Sequence, residues 1–212
     1  MATLDDRPQV SYGAPMALQS GRHIFSTDRG RVVLLTARDG LAGMAGHDLT
    51  IEVAVWSGEL TVGDDGQPSE LSVKIDLTSL VVIAGTGGVK PLTDRDRREI
   101  AVTARKVLGA DRHPQATFAA STFEPGSDGG GFIKGTLTLA GISRPLNLQV
   151  SSTGGDSFHA TASVRQSEFG IKPYTAFLGA LKVSDAVGVE VDVNLAEPGA
   201  ADNPARGGEV QP

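Results

Sequence analysis

The strongest constraint on the fold of this chain is an alternation of apolar and polar residues with a period of two. In residues 187–195 every odd position is Val or Leu, and Glu190, Asp192 and Asn194 stand between them. Successive side chains of a β-strand point to opposite faces of its sheet, so the pattern predicts strands with one buried face. The alternation recurs at 49–55, 71–77, 133–139, 146–150 and 158–164, and less regular patterns predict strands at 31–38 and 115–123.

The turns between these segments favour an all-β fold. Glycine accounts for 27 of the 212 residues, and glycine-rich clusters at 63–66, 126–131 and 154–155 separate the predicted strands. With about eight strands, each apolar on one face, we expect an eight-stranded antiparallel barrel, because closure removes exposed strand edges. A sandwich of two sheets has the same periodicity and stays an alternative.

One segment has a helical period instead. Thr93 precedes an acidic turn, four apolar residues between 100 and 108 share one helical face, and Gly109 follows. A threonine cap, acidic residues at the first turn and a glycine at the end are typical helix boundaries. They predict one helix at about 93–108, which we expect to lie beside or across one end of the barrel.

The parity of the alternation changes around Trp56 and Gly58. Apolar residues occupy odd positions before Trp56 and even positions after it, at Leu60 and Val62. A bulge or sharp bend at Gly58 would produce this change, as at a barrel corner. Trp56, the only tryptophan, is a candidate core residue, end plug or ligand contact.

Charge and composition exclude several classes of function. The formal net charge is −6, which argues against binding to nucleic acid and against docking on anionic lipid through a polybasic patch. There is no cysteine, so disulfides, thiolate catalysis and iron–sulfur clusters are excluded. The four histidines are scattered at no ligand spacing, and we expect neither a metal site nor a cofactor.

The two ends of the chain lack the alternation. We expect a flexible leader at 1–20, one domain at 21–195 and a disordered tail at 196–212. The first residues lack a basic stretch followed by an apolar run, so they do not resemble a secretory signal. We therefore expect a cytoplasmic protein without an integral membrane segment.

Four motifs occur in order along residues 22–195. They are DLTSL, GTGG and DRD within 76–96, HPQATF at 113–118, GTLTLAGISRPLNL at 135–148, and VRQSEFGI at 164–171. Their types and spacing resemble the YceI-like family of lipid-binding (polyisoprenoid-binding) proteins, whose motifs include GxLTxxGxxxPxxL and a strand with RSxFG. Each motif is weak alone, but the four in order are fairly specific.

The resemblance implies an eight-stranded, lipocalin-like barrel that holds a long apolar ligand. It therefore implies a non-enzymatic carrier of an isoprenoid or lipid-like molecule, with Phe169 of the last motif as a candidate ligand contact. The absence of an export signal and the segments 38–49 and 172–181 suggest a sub-branch of the family, whose ligand can differ.

Five further residues are candidate ligand contacts. His47 and Asp48 follow a glycine-rich segment and could hold a ligand head group, or serve as ordinary turn residues. Arg95 could meet a phosphate or carboxylate, or belong to a solvated helix start. Tyr174 and Phe177 lie in an unusually apolar connection that could fold over the barrel mouth or pack outside it.

Two other functions remain open from the residues alone. An enzyme acting on a small apolar substrate could use His47 and Asp48, although no nucleophile elbow accompanies them. A structural or stress-related protein could have a filled barrel and work through its surface. The apolar loop at 173–181 or an open barrel end could also pair two copies into a homodimer.

Overall fold

The described part of the chain folds as an all-β domain with one helix. A computed structural model describes residues 18–39, 46–126 and 130–196, and for Phe177 it describes the backbone only. The strands within these ranges are β1 (Gly21–Ser26), β2 (Gly30–Asp39), β3 (His47–Val53), β4 (Trp56–Val62), β5 (Pro68–Asp76), β6 (Leu80–Gly87), β7 (Gln115–Pro125), β8 (Gly131–Leu139), β9 (Ile142–Gly154), β10 (Ser157–Arg165), β11 (Thr175–Ala176) and β12 (Leu181–Asn194). The helix is α1 (Asp94–Val107), and short 3-10 turns lie at Leu77–Ser79, Gln166–Phe169 and Phe177–Gly179.

All the described strands belong to one antiparallel sheet. Its order is β1-β4-β5-β7-β8-β9-β10-β12-β2-β3-β6, and β11 pairs with β12 off this path. The two-sheet sandwich is therefore wrong for the described part of the chain. The predicted number of eight strands is not confirmed, because the described ranges hold twelve strand segments. The sheet is strongly curled, since the inner faces of most strands surround one cavity.

Two long strands are interrupted, which partly explains why the described ranges hold twelve strand segments and not the predicted eight strands. β3 and β4 are separated by Ala54 and Val55 alone, and β5 and β6 by the turn at Leu77–Ser79. Backbone hydrogen bonds cross the interruption, from Ala54 N to Ser79 O at 3.2 Å and from Asp76 N to Val55 O at 3.0 Å. The two pairs therefore form one long, bent hairpin.

The predicted bend at Gly58 is wrong in its position. Gly58 pairs in regular register with Val73 inside β4, and the chain bends at Ala54 and Val55 instead. Two residues outside the strand geometry change the parity of the inward positions, so that Val53 and Trp56 both face the core. The change of parity correctly indicated a bend, but the prediction placed it at Gly58, three residues after Val55.

Helix α1 has the predicted boundaries to within one residue at each end. Thr93 and Asp96 form a capping box, and Gly109 adopts a left-handed φ of 68° just after the helix. On the side facing β6, Arg97 Nη1 donates to Ile83 O at 2.6 Å and Arg105 Nη2 donates to Leu80 O at 2.9 Å. The helix thus covers the outer edge of β6, which pairs with β3 on its other side.

The RSxFG-like segment is not a strand throughout, because residues Gln166–Phe169 form a 3-10 turn that ends at the left-handed Gly170. Most of the predicted leader and tail lies outside the described residues, so their disorder stays a prediction. Leu18, within the predicted leader, packs against the core.

Candidate ligand-binding site

The curled sheet encloses an inner cavity with a volume of about 360 Å³. Every strand except β6 and β11 contributes to its wall, and the lining side chains are almost all apolar. The wall is apolar because the cavity is bounded by the inward positions of the alternating strands, such as Val189, Val191 and Val193 of β12. Gln67, Glu124 and Gln166 are polar exceptions.

Trp56 forms part of the inner wall. Its side chain is buried, and Phe25 packs against it edge-on, with ring centroids 6.0 Å apart. The indole Nε1 of Trp56 is buried without a hydrogen-bond partner. Because the residue lines the cavity, its emission would report on what enters it.

A second, outer cavity lies between α1 and the ends of β2, β3 and β12. Its volume is about 630 Å³. The apolar face of α1 supplies one side, through Ile100, Ala104 and Val107. The remaining wall is much more polar than that of the inner cavity and includes Thr36, Arg38, His47, Lys90, Asp96, Glu99, Thr103, Gln166, Tyr174 and Lys182.

The two cavities share part of their walls. Leu34, Leu108, Gln166 and Val187 line both. Gln166 is the polar member of this group, its side chain is buried, and its Nε2 donates to Ser184 O at 2.9 Å. The cavities are therefore neighbouring compartments that meet at a fixed amide.

The turn that holds Gln166 is anchored to β12. Ser167 N and Ser167 Oγ both donate to the carboxylate of Asp185, at 2.8 and 2.7 Å. These bonds, the hydroxyl first and the backbone N–H second, hold the pKa of Asp185 below its ordinary value. Asp185 lies within an irregularity of the β12–β2 ladder between Val183 and Val187, and this break in the pairing leaves the Ser184 carbonyl and the Asp185 side chain available to the turn.

His47 and Asp48 fall on opposite faces of β3. His47 lines the outer cavity, and its Nε2 lies 2.9 Å from Lys90 O. Asp48 lines neither described cavity and accepts a hydrogen bond from Arg38 N at 2.8 Å. The Arg38 guanidinium lies beside it and donates to Gly46 O at 2.8 Å. The two predicted head-group contacts are therefore separated by the strand itself.

Arg95 points into solvent from the first turn of α1. Its side chain is 82% exposed, and its Nε donates to Glu99 Oε1 at 2.8 Å. That hydrogen bond raises the pKa of Arg95 above its ordinary value. The neighbouring Asp96 lines the outer cavity, but its carboxylate is occupied by the helix cap, where hydrogen bonds from Thr93 lower its pKa.

The predicted aromatic ligand contacts do not line one common cavity. Trp56 lines the inner cavity and Tyr174 the outer one. Phe169 is buried in the core and lines neither cavity. The side chain of Phe177 lies outside the described part of the structure.

Comparison with known proteins identifies the family. A model of the YceI-like domain matches residues 33–195. The chain belongs to the YceI-like family. A curated relative, a UPF0312 protein of Shewanella putrefaciens, is 23% identical over 173 residues, which are 77% of this chain and 83% of the relative.

Two solved structures share the fold of this YceI-like domain. BcnA of Burkholderia cenocepacia aligns with a TM-score of 0.55 and 16% identity, over 77% of this chain and 94% of BcnA. A polyisoprenoid binding domain from Saccharophagus degradans, described as implicated in plant cell wall breakdown, aligns with a TM-score of 0.50 and 13% identity, over 82% and 97%. At these identities the likeness concerns the fold alone.

Sequence reasoning did not select two residues of this YceI-like site, Gln166 and Lys182. Gln166 continues the even-numbered inward parity of Ala160, Ala162 and Val164, so a polar residue at an inward position was the available signal. Lys182 carries no such signal, because it reaches the outer cavity only through the pairing of β12 with β2 and β11.

The described ranges lack two other features that would indicate a function. In the described ranges no three metal-ligating side chains are grouped closely enough to hold an ion. No helix in the same ranges has the length and apolar character needed to cross a bilayer.

Proposed function

We propose that the protein is a non-enzymatic carrier that binds one long apolar chain, isoprenoid or lipid-like, in the inner cavity. The observation that supports this most directly is the apolar cavity itself, whose wall is built from nearly every strand of the sheet. Ligand pockets commonly measure about 300–1,000 Å³ and are mainly apolar. The similarity in fold to a polyisoprenoid binding domain from Saccharophagus degradans supports the same choice of ligand.

The eight-stranded barrel is part of this proposal. If β3 with β4 and β5 with β6 are each taken as one bent strand, and the outlying β1 and β11 are set aside, eight strands form the ladder. β3 pairs with β2 while β5 pairs with β7, so the bent hairpin would join the two ends of the curl. An interior of this size is suited to one slender ligand.

The energetics favour exchange of the ligand over permanent storage. Burying about 20 methylenes at about 0.8 kcal/mol each would gain about 16 kcal/mol relative to water. The loss of translational freedom and the ordering of the chain remove much of that gain. Relative to a membrane the gain nearly vanishes, because lipid tails are also apolar. Such a protein would act as a shuttle or buffer.

The two alternative functions have less support. A protein that acts through its surface and has a filled barrel would lack an inner cavity of about 360 Å³, which this protein has. An enzyme that uses His47 with Asp48 would need both side chains at one substrate, whereas only His47 lines a cavity. A cytoplasmic location, a homodimer and the absence of a cofactor stay predictions.

The emission of Trp56, the only tryptophan, provides a direct test. Chains brominated near one end should quench it on binding, because the residue lines the inner cavity. Ala160→Leu, whose new side chain would enter that cavity, should weaken binding of hexadecanol at least about fivefold, by excluding part of the chain's buried area.

The matched control is Thr161→Leu, on the opposite face of β10, which should bind hexadecanol as the unmodified protein does. Mass spectrometry of an organic extract of the purified protein would identify a co-purified ligand. Absence of any bound molecule, together with no quenching by any brominated chain, would refute the proposal.

A further inference from the structure

Two loop tips at one end of the sheet expose apolar side chains to solvent. The start of β12, the end of β2, the start of β3 and the end of β6 lie side by side at this end. Val89 follows β6 and is 86% exposed, and Leu178 precedes β12 and is fully exposed. They are the two most exposed large apolar residues in the described ranges. Apolar residues exposed on the same surface indicate a contact with another molecule or with a membrane.

The tip that carries Val89 is held in place from below. His47 Nε2 lies 2.9 Å from Lys90 O. A Cβ built on Gly88 would lie 2.3 Å from the same ring nitrogen, so the imidazole fills the space under the turn and only a glycine admits it there. Val89 therefore projects from a turn whose two neighbouring residues are both fixed by His47.

Leu178 stands at the apex of the hairpin between β11 and β12. Thr175 pairs with Lys182, and Val183 N donates to Tyr174 O at 3.0 Å, so the hairpin is closed beneath the apex. Leu178 adopts a left-handed φ of 56°, and such backbone strain is often kept for function. A strained conformation that exposes a leucine completely gives the fold no packing in return, which indicates a contact outside the chain.

The two segments that carry the tips contain only positive charge. Residues 83–93 include Lys90, residues 171–183 include Lys172 and Lys182, and neither segment has an acidic residue. Residues 94–99 of α1 are neutral, with three arginines and three acidic residues. The net charge of the chain is −6, so this end is a local exception to it.

The strand ends between the tips do not cancel this charge. Arg38 forms an ion pair with Asp48, and Asp39 lies opposite Lys182 in the β12–β2 ladder. Lys90 and Lys172 are then the excess, and both are exposed. Lysines beside exposed apolar side chains match the two layers of an anionic bilayer, its phosphates and its acyl chains.

A second copy of the chain fits this surface less well. Dimers usually bring the same surface of both chains together around a two-fold axis. Lys90 and Lys172 of each copy would then approach their counterparts, and juxtaposed like charges are costly. An anionic bilayer attracts the same lysines instead.

We propose that this end of the protein docks on an anionic lipid bilayer, with Val89 and Leu178 inserted below the head groups and Lys90 and Lys172 among the phosphates. The inference goes beyond the carrier function and rests on it only for its purpose, since a carrier of an apolar chain must exchange that chain with a membrane.

The test is sedimentation of the full-length protein with vesicles of phosphatidylcholine alone or of an equimolar mixture with phosphatidylglycerol. Each lysine near an anionic surface contributes about a fivefold gain in affinity, so the mixed vesicles should bind at least about fivefold more tightly. Added salt should reduce this preference, because it screens the attraction.

The variants locate the docking surface. Val89→Thr combined with Leu178→Asn should weaken binding to both kinds of vesicle at least about tenfold, because apolar side chains no longer enter the bilayer. Lys172→Gln should weaken binding about fivefold to the mixed vesicles only. Val81→Thr and Lys74→Gln, exposed elsewhere on the sheet, are the matched controls and should change neither affinity.

Docking and the carrier function can fail separately. Val89 and Leu178 line neither cavity, so the double variant should bind hexadecanol as the unmodified protein does, measured by Trp56 emission. No vesicle binding by the unmodified protein, or equal vesicle binding by the double variant, would overturn the inference and leave the carrier function intact. Vesicle binding that depends on the tips, without any hexadecanol binding, would support docking and refute the carrier function.

A second copy at this surface would give a different result. The unmodified protein would then sediment as a dimer that the double variant dissociates, and it would not bind vesicles. That outcome would overturn the inference and assign the two tips to a protein interface.

Discussion

The ring of Phe25 fills the space that a side chain at position 58 would occupy. A Cβ built on Gly58 would lie 2.1 Å from Cε2 of Phe25, far inside van der Waals contact. Phe25 is buried and packs edge-on against Trp56. The glycine therefore admits the ring from β1 to a position against the wall of the inner cavity.

Replacement of this glycine should disturb the wall. We expect Gly58→Ala to lower the free energy of unfolding by about 1–3 kcal/mol, because a packed ring must leave its position. Chemical denaturation followed by Trp56 emission would measure the loss. Ser57→Ala, at the exposed neighbouring position, should be nearly neutral. If the clash is the cause, adding Phe25→Leu to Gly58→Ala should cost less than the sum of the two single changes.

The two arginines of α1 that bond β6 should stabilise the docking of the helix. Arg97→Met and Arg105→Met each remove a hydrogen bond to a strand-edge carbonyl, and about 1 kcal/mol of stability should be lost per site. The loss is modest because the Nε of each arginine is already buried without a partner. Hydrogen exchange of the amides of β6 should accelerate in both variants. The exposed Arg98, changed to Met, is the control, and faster exchange there too would remove the assigned cause.

The Ser167–Asp185 contact should make stability depend on pH. The folded-state pKa of Asp185 is lowered by its hydrogen bonds with Ser167. Its contribution is therefore complete above the unfolded pKa of about 4 and is lost as the pH falls through the lower folded pKa. Unfolding curves of the unmodified protein and Asp185→Asn should differ by a constant amount above about pH 5 and converge below about pH 4. A pH-independent difference would contradict this assignment.

Leu178 combines full exposure with a left-handed backbone, at φ 56°. A left-handed conformation costs a leucine about 1 kcal/mol, and asparagine tolerates it better. Leu178→Asn should therefore raise the thermal midpoint slightly, while Leu178→Val should lower it.

If two copies pair through the 173–181 loop, the same Leu178→Asn variant should weaken the dimer in sedimentation experiments. An unchanged monomer–dimer distribution would remove this loop from the predicted interface.

Local patterns predicted the elements whose causes are themselves local. The alternation at 187–195 became the last half of β12, and Thr93, Asp96 and Gly109 marked the ends of α1 correctly. A cap or an amphipathic face depends on neighbours within a few residues, so it can be recognised from the sequence. The bend near Trp56 was detected but misplaced, because the role of Gly58 depends on Phe25, from another strand.

The residues of the candidate site were predicted less completely than the strands and the helix. Trp56, Tyr174 and His47 do line cavities, but Asp48 and Arg95 do not. Arg95 was chosen for its charge, and its direction depends on the rotation of α1 about its own axis against β6. Gln166 was overlooked because a polar residue at an inward position appears in the sequence as an interruption of the pattern.

The order of residues along the chain was enough to predict strands with one apolar face and a capped helix, and its motifs resemble those of the YceI-like family. The strands and the helix follow from side-chain periodicity and from bonds between near neighbours. The existence of two adjoining cavities, and the meeting of Gln166 with Ser184 and Asp185 between them, became visible only when the sheet had curled. Curvature and strand register bring distant residues together, and no short-range pattern encodes those distances.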